Sequence, residues 1–122
     1  MEIRIEPQPD HLRVVTKGEF DPAAARRGVI AVVAACREHG VDRVLLDGRG
    51  IVTSVSVLDR YELAKAIADE AKRRLRLAIV VSHENMFSKT LEETAINMGM
   101  DVRTTDSMAE ALIYLGLPIS NR

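Results

Sequence analysis

The sequence predicts an α/β domain built on a mixed, mainly parallel sheet, and three observations carry that reading. Apolar and polar residues alternate near the N-terminus, apolar runs mark the strands at 41–46 (Val44-Leu45-Leu46) and 77–81, and helix-period stretches fill the intervals. Alternation marks strands with one wet face. Unbroken apolar runs mark strands covered on both faces, and the amphipathic stretches supply the crossovers that parallel strands need. The expected order is β-β-α-β-α-β-α-β-α, with an N-terminal antiparallel hairpin and about four helices.

Ile3 and Ile5 alternate with Glu2, Arg4 and Glu6, which suits a half-buried strand. Pro7-Gln8-Pro9-Asp10 is a turn, and Leu12-Arg13-Val14-Val15-Thr16 is the second strand. Asp21-Pro22 opens a helix, the carboxylate capping and the proline at the first helical position. Ala25, Val29, Val32, Val33 and Cys36 form its buried stripe, and His39-Gly40 closes it with a left-handed exit. After the strand at 41–46, Gly48-Arg49-Gly50 reads as a turn. The next helix runs over 57–73, and Ser56-Val57-Leu58-Asp59 resembles a capping box with Asp in the Glu position. Its expected inner stripe is Val57, Tyr61, Ala64, Ala68 and Ala71, widened by Leu63 and Ile67. Asp59, Glu62, Lys65, Asp69, Glu70, Lys72 and Arg73 are expected on its wet face. The strand at 77–81 leads into the loop Ser82-His83-Glu84-Asn85. Phe87, Leu91, Ala95 and Met98 mark a third helix ended by Gly99, and 101–103 is a short strand. Thr105-Asp106-Ser107 caps a last helix carrying Met108, Ala111, Leu112 and Leu115. Residues 1–116 are expected to form one domain and 117–122 a loose tail.

Composition narrows the function classes. The 122 residues are 47% apolar and 29% charged, which is ordinary for a globular domain with a real core. Seventeen basic and 18 acidic residues are interspersed to a net charge of −1, which argues against nucleic acid. Arg26-Arg27 and Lys72-Arg73-Arg74 read as solvated helix positions. Phe20, Tyr61, Phe87 and Tyr114 are scattered and form no stacking platform. A lone Cys36 on the helix stripe reads as a buried structural thiol. No apolar run reaches the ~18–20 residues of a membrane span, and no signal peptide is visible, so a cytoplasmic setting is expected.

The carboxyl ends of the parallel strands should gather the loops at 48–56, 82–86 and 103–107, and this rim is the expected site. It carries Arg49, Thr53, Ser54, Ser56, Ser82, His83, Asn85, Arg103 and Thr105. Gly48-Arg49-Gly50 is not a dinucleotide loop: position 53 is Thr where a third glycine is required, and Asp47 would repel a phosphate. No cofactor is expected. His83 between Ser82 and Glu84 reads as an exposed loop residue rather than a catalytic one, and no histidine has zinc-site spacing. Ser56 reads as the helix cap, with phosphorylation there the functional alternative.

The element order, Arg43-Val44-Leu45-Leu46-Asp47 with Arg49-Gly50, Asp59-Arg60-Tyr61-Glu62-Leu63-Ala64, and Asn97-Met98-Gly99-Met100 together resemble the STAS (SpoIIAA-like) family, in particular its STAS/Sec14-like branch. The resemblance spans about residues 1–116 and implies a small regulatory or binding module. In the family's anti-sigma-factor antagonists an Asp-Ser-Ser-Gly stretch follows the equivalent strand, and its second Ser is phosphorylated. That pattern falls here on Val55, Ser56, Val57 and Leu58, of which only Ser56 matches.

The leading expectation is a non-enzymatic module that docks a protein partner through Arg49, Thr53, Ser54, Ser56, Asp59 and Arg60. The alternative is a carrier of a small apolar ligand, with Phe87, Leu91, Met98, Met108 and His83 as pocket walls. A hydrolase-type enzyme using Ser82, His83 and Arg103 ranks last. A homodimer is compatible with the small residues Ala23-Ala24-Ala25.

Overall fold

A computed structural model describes residues 1–71, 75–86 and 90–119. Strands β1 (Glu2–Pro7) and β2 (Leu12–Gly18) form the hairpin, and α1 (Pro22–His39), β3 (Arg43–Ile51), α2 (Val57–Ala71) and β4 (Arg76–Val80) follow. A 3₁₀ turn (His83–Asn85) precedes α3 (Thr90–Asn97), β5 (Asp101–Thr105) and α4 (Met108–Leu115). The five strands lie in the order β1-β2-β3-β4-β5. Only β1 and β2 pair antiparallel; the other three pairings are parallel.

This order dictates the layering. Each crossover moves one strand along in the same direction, and right-handed crossovers then place α1, α2 and α3 on the same face. Val33 and Cys36 of α1, Ala64, Ile67 and Ala71 of α2, and Ala95 of α3 accordingly share one core with Val14, Val44, Leu77, Ile79 and Val102. α4 follows the last strand and is no crossover, so it can cover the opposite face. There Ala111 and Leu115 pack on Leu45, Ala78 and Val80. The rest of that second face, over β1 to β3, carries charge: Lys17 pairs with Glu2 at 3.3 Å, Arg13 reaches Glu6 at 3.6 Å, and Arg49 pairs with Asp47 at 2.8 Å.

The caps follow the sequence. Asp21 accepts from the amides of Ala23 and Ala24, and Gly40 leaves α1 at φ 66°. Ser107 Oγ accepts from Glu110 N, and Gly116 leaves α4 at φ 69°.

Four expectations need correction. β3 does not end at residue 46 but runs through both glycines to Ile51. Gly50 lies against a bulged stretch of β2, where a Cβ would sit 2.7 Å from Thr16 O, so close strand packing rather than a turn requires the glycine. The inner stripe of α2 holds at Ala64, Ile67 and Ala71, with Leu63 and Ala68 packed against the same core, but its first turn differs: Arg60 is buried, whereas Val57 and Tyr61 face solvent. β5 extends to Thr105, leaving Ser107 as the cap of α4. Leu117, assigned to the tail, is buried against the α4 core, its amide donating to Leu112 O. Lys72, Arg73 and Arg74 lie outside the described residues, as does Phe87.

Candidate functional site

The segment joining β3 to α2 is pinned from below by one buried amide. Asn85, at the end of the 3₁₀ turn, is 6% exposed. Its Oδ1 accepts from Val55 N at 3.2 Å and from Arg60 Nη2 at 3.4 Å. Its Nδ2 donates to Thr53 O at 3.4 Å and to Ser82 Oγ at 3.3 Å. Arg60 completes the clamp by donating Nε to Val55 O at 2.9 Å. Burial lowers the pKa of this guanidinium, which nonetheless stays charged. From above, Thr53 Oγ1 accepts from Phe20 N at 3.0 Å, which ties the segment to the chain leaving β2.

At the head of α2, Ser56 Oγ accepts from Asp59 N at 3.1 Å and Ser56 O from Arg60 N at 3.0 Å, so Ser56 is the cap. What the clamp presents outward is apolar. Val52 is 71% exposed and Leu58 66%, with Val57 and Tyr61 also open to solvent. Four large apolar side chains thus lie exposed within ten residues. Ser54, Ser56 and Glu62 are exposed among them, with Asp59 half-buried.

The expected docking set is therefore divided. Thr53, Ser54, Ser56 and Asp59 lie together on this segment. Arg60 is turned inward to hold it. Arg49 is on the other sheet face, because strand alternation sends Val44, Leu46 and Gly48 toward the helices and Leu45, Asp47 and Arg49 away. Its Nε and Nη2 meet the Asp47 carboxylate at 3.0 and 2.8 Å. These bonds hold the Asp47 carboxyl below the ordinary aspartate range, against the opposing effect of burial.

The strand order also changes the meaning of the rim. Ligand crevices in open α/β sheets form where the strand order reverses, and here it does not. The would-be catalytic groups are directed to separate partners. His83 has a side chain 94% exposed and lies 3.2 Å from Asp106. Arg103 reaches Glu92 at 3.6 Å and stacks over Tyr114. Thr105 donates to Glu110 at 2.7 Å. Among the described residues no cluster of His, Cys, Asp and Glu is arranged to hold a metal ion.

A cavity of about 160 Å³ lies between the sheet and the helices α1 to α3. Its walls are almost wholly apolar, including Val29 and Val32 of α1, Leu46 of β3, Leu63 of α2 and Ile79 of β4. Of the expected pocket residues, Leu91 lines it. Met108 packs with the α4 core on the opposite face, His83 points into solvent, and Met98 is not among the described lining residues. Small residues are part of its wall: Gly28, Ala25 and Gly48 line it, and Ala64 and Ala68 face the same core.

The amino-acid sequence matches no family model and no curated protein. Solved structures do match. An anti-sigma factor antagonist from Mycobacterium paratuberculosis superposes with a TM-score of 0.62 over 94% of this chain and 93% of that one, at 16% identity. The anti-sigma factor antagonist SpoIIAA in its unphosphorylated form superposes with a TM-score of 0.56 over 98% of this chain and 100% of that one, at 12% identity. The chain has a STAS-like fold. Both similarities run nearly end to end, so the N-terminal hairpin and α4 belong to the shared architecture.

Among missed features, the role of Asn85 had no local signal, because its four partners come from three separate segments. The exposure of Val57 and Tyr61 had none either: by spacing they fit the stripe of Ala64, Ala68 and Ala71, and it is the burial of Arg60 that turns them out.

Proposed function

We propose that this chain is a non-enzymatic regulatory module of the cytoplasm that docks a protein partner through residues 52–61. The observation that carries the reading is the exposed group Val52, Val57, Leu58 and Tyr61 on a backbone held still by Asn85 and Arg60. A rigid, locally apolar surface loses little entropy on binding and gains from burying that area. Asp59 and Glu62 lie within and beside the group, which favours a partner with an apolar centre and a basic rim. The structural neighbours are named as antagonists of anti-sigma factors, so a partner of the anti-sigma-factor class is the first to test. Cys36 as a free thiol suits a reducing compartment.

The test is capture with wild-type protein, Leu58→Glu and Ile113→Glu, the last on the exposed face of α4. The reading expects one identified protein to be retained by wild type and Ile113→Glu and lost with Leu58→Glu. Equal retention by all three would move the interface elsewhere. A second copy of the chain is the competing occupant. Light scattering that shows a dimer dissociated by Leu58→Glu would replace partner docking with self-association.

A further inference from the structure

We propose that the cavity under α1 and α2 is a binding site for a small neutral molecule, a ring or branched hydrocarbon skeleton bearing one hydroxyl-type group. Two independent observations support it. The first is the space itself, about 160 Å³ with apolar walls. An apolar space of about 150 Å³ is large enough for a benzene-sized molecule.

The second is an orphaned hydroxyl. Thr104 lines the cavity from β5, paired with Ile79 on β4. It is 7% exposed, and its Oγ1 is buried without a hydrogen-bond partner. Buried hydroxyls are normally satisfied, and leaving one unpaired is unfavourable. A threonine hydroxyl both donates and accepts, so a single ligand O–H fits it in either sense. β5 is an edge strand covered by α3, which sets Thr104 at one side of the space and leaves the rest to a hydrocarbon body.

Charge is disfavoured. Arg60 lines the other end, but its guanidinium already donates to Val55 O and Asn85 Oδ1. Nothing at Thr104 would compensate a buried anion. The site lies inside the layer, whereas the docking surface is its outer side, so either can stand without the other.

Phenol and benzene are the probes, titrated into the full chain and followed by amide ¹H–¹⁵N shifts. Saturable shifts at Thr104, Ile79 and Val29 are expected for both, with phenol tighter by roughly two- to tenfold, the value of one net hydrogen bond. Thr104→Val, nearly the same shape, is expected to bind benzene as before and to erase the preference for phenol. Val32→Phe is expected to fill the space and abolish binding of both. Failure of both probes to saturate would overturn the proposal. So would a phenol preference that survives in Thr104→Val, which would mean that the phenol O–H finds its partner elsewhere. Should Val32→Phe not fold, the comparison in Thr104→Val still decides.

Discussion

Three side chains show how single residues are set by their surroundings. Asn85 satisfies groups on Thr53, Val55, Arg60 and Ser82 at once. Asn85→Ala leaves a buried amide and a buried guanidinium short of a partner. It is expected to cost about 1–3 kcal/mol in a urea titration and to loosen 52–56 in hydrogen exchange. Asp47 has a folded-state pKa depressed chiefly by its hydrogen bonds to Arg49. The stability it contributes is therefore present above the unfolded aspartate pKa and lost as pH falls through the lower folded value. Below about pH 4, wild type should lose stability more steeply than Asp47→Asn, measured as urea midpoint against pH. Burial pushes the Cys36 thiol up to about 11. At pH 8 a thiol reagent should leave the native protein unmodified and label it fully in urea; labelling at native rates equal to a free thiol would mean that α1 opens there.

At the scale of elements, α2 is the informative one. Ser56 caps it through Asp59 N, and Ser56→Ala is expected to cost about 1 kcal/mol of stability while leaving the fold intact. Its start and its N-terminal cap were readable because capping chemistry and helical period are local. Which way it faces was not. By spacing, Val57 and Tyr61 continue the stripe of Ala64, Ala68 and Ala71 as well as Arg60 continues that of Ala64, Ile67 and Ala71. The second was realised because Asn85 and Val55 O lie where they can satisfy a buried guanidinium. The same arrangement sends Val57 and Leu58 outward and creates the proposed docking surface. The glycines of β3 teach a similar lesson: Gly48-Arg49-Gly50 reads as a turn until β2 is laid beside it and Thr16 O leaves no room for a side chain at Gly50.

For the whole molecule, the monotonic strand order is the governing fact. It puts three helices on one face and one on the other, and it removes the order reversal at which α/β sheets make crevices. The recess of this molecule lies instead within the three-helix layer. Val29→Ile adds one methylene to its wall and is expected to stabilise by about 0.8 kcal/mol in urea. A destabilised Val29→Ile would show that the wall there is already tightly packed.

The sequence by itself determined the element order, the hairpin, the caps at Asp21, Ser56 and Ser107, and the glycine exit at Gly40. Each of these rests on period or capping chemistry within a few residues of chain. Only the tertiary structure decided that Arg60 turns in and Val57 and Leu58 turn out, that Arg49 faces away from Ser56, and where the cavity lies. Those outcomes depend on groups that segments remote in sequence bring together: Asn85 beneath the 52–56 segment, β2 beside the glycines of β3, which keeps that strand and its alternation running through Arg49, and α1 and α2 spanning the sheet. No local pattern encodes such meetings, because the free energy that selects them belongs to the assembled layers.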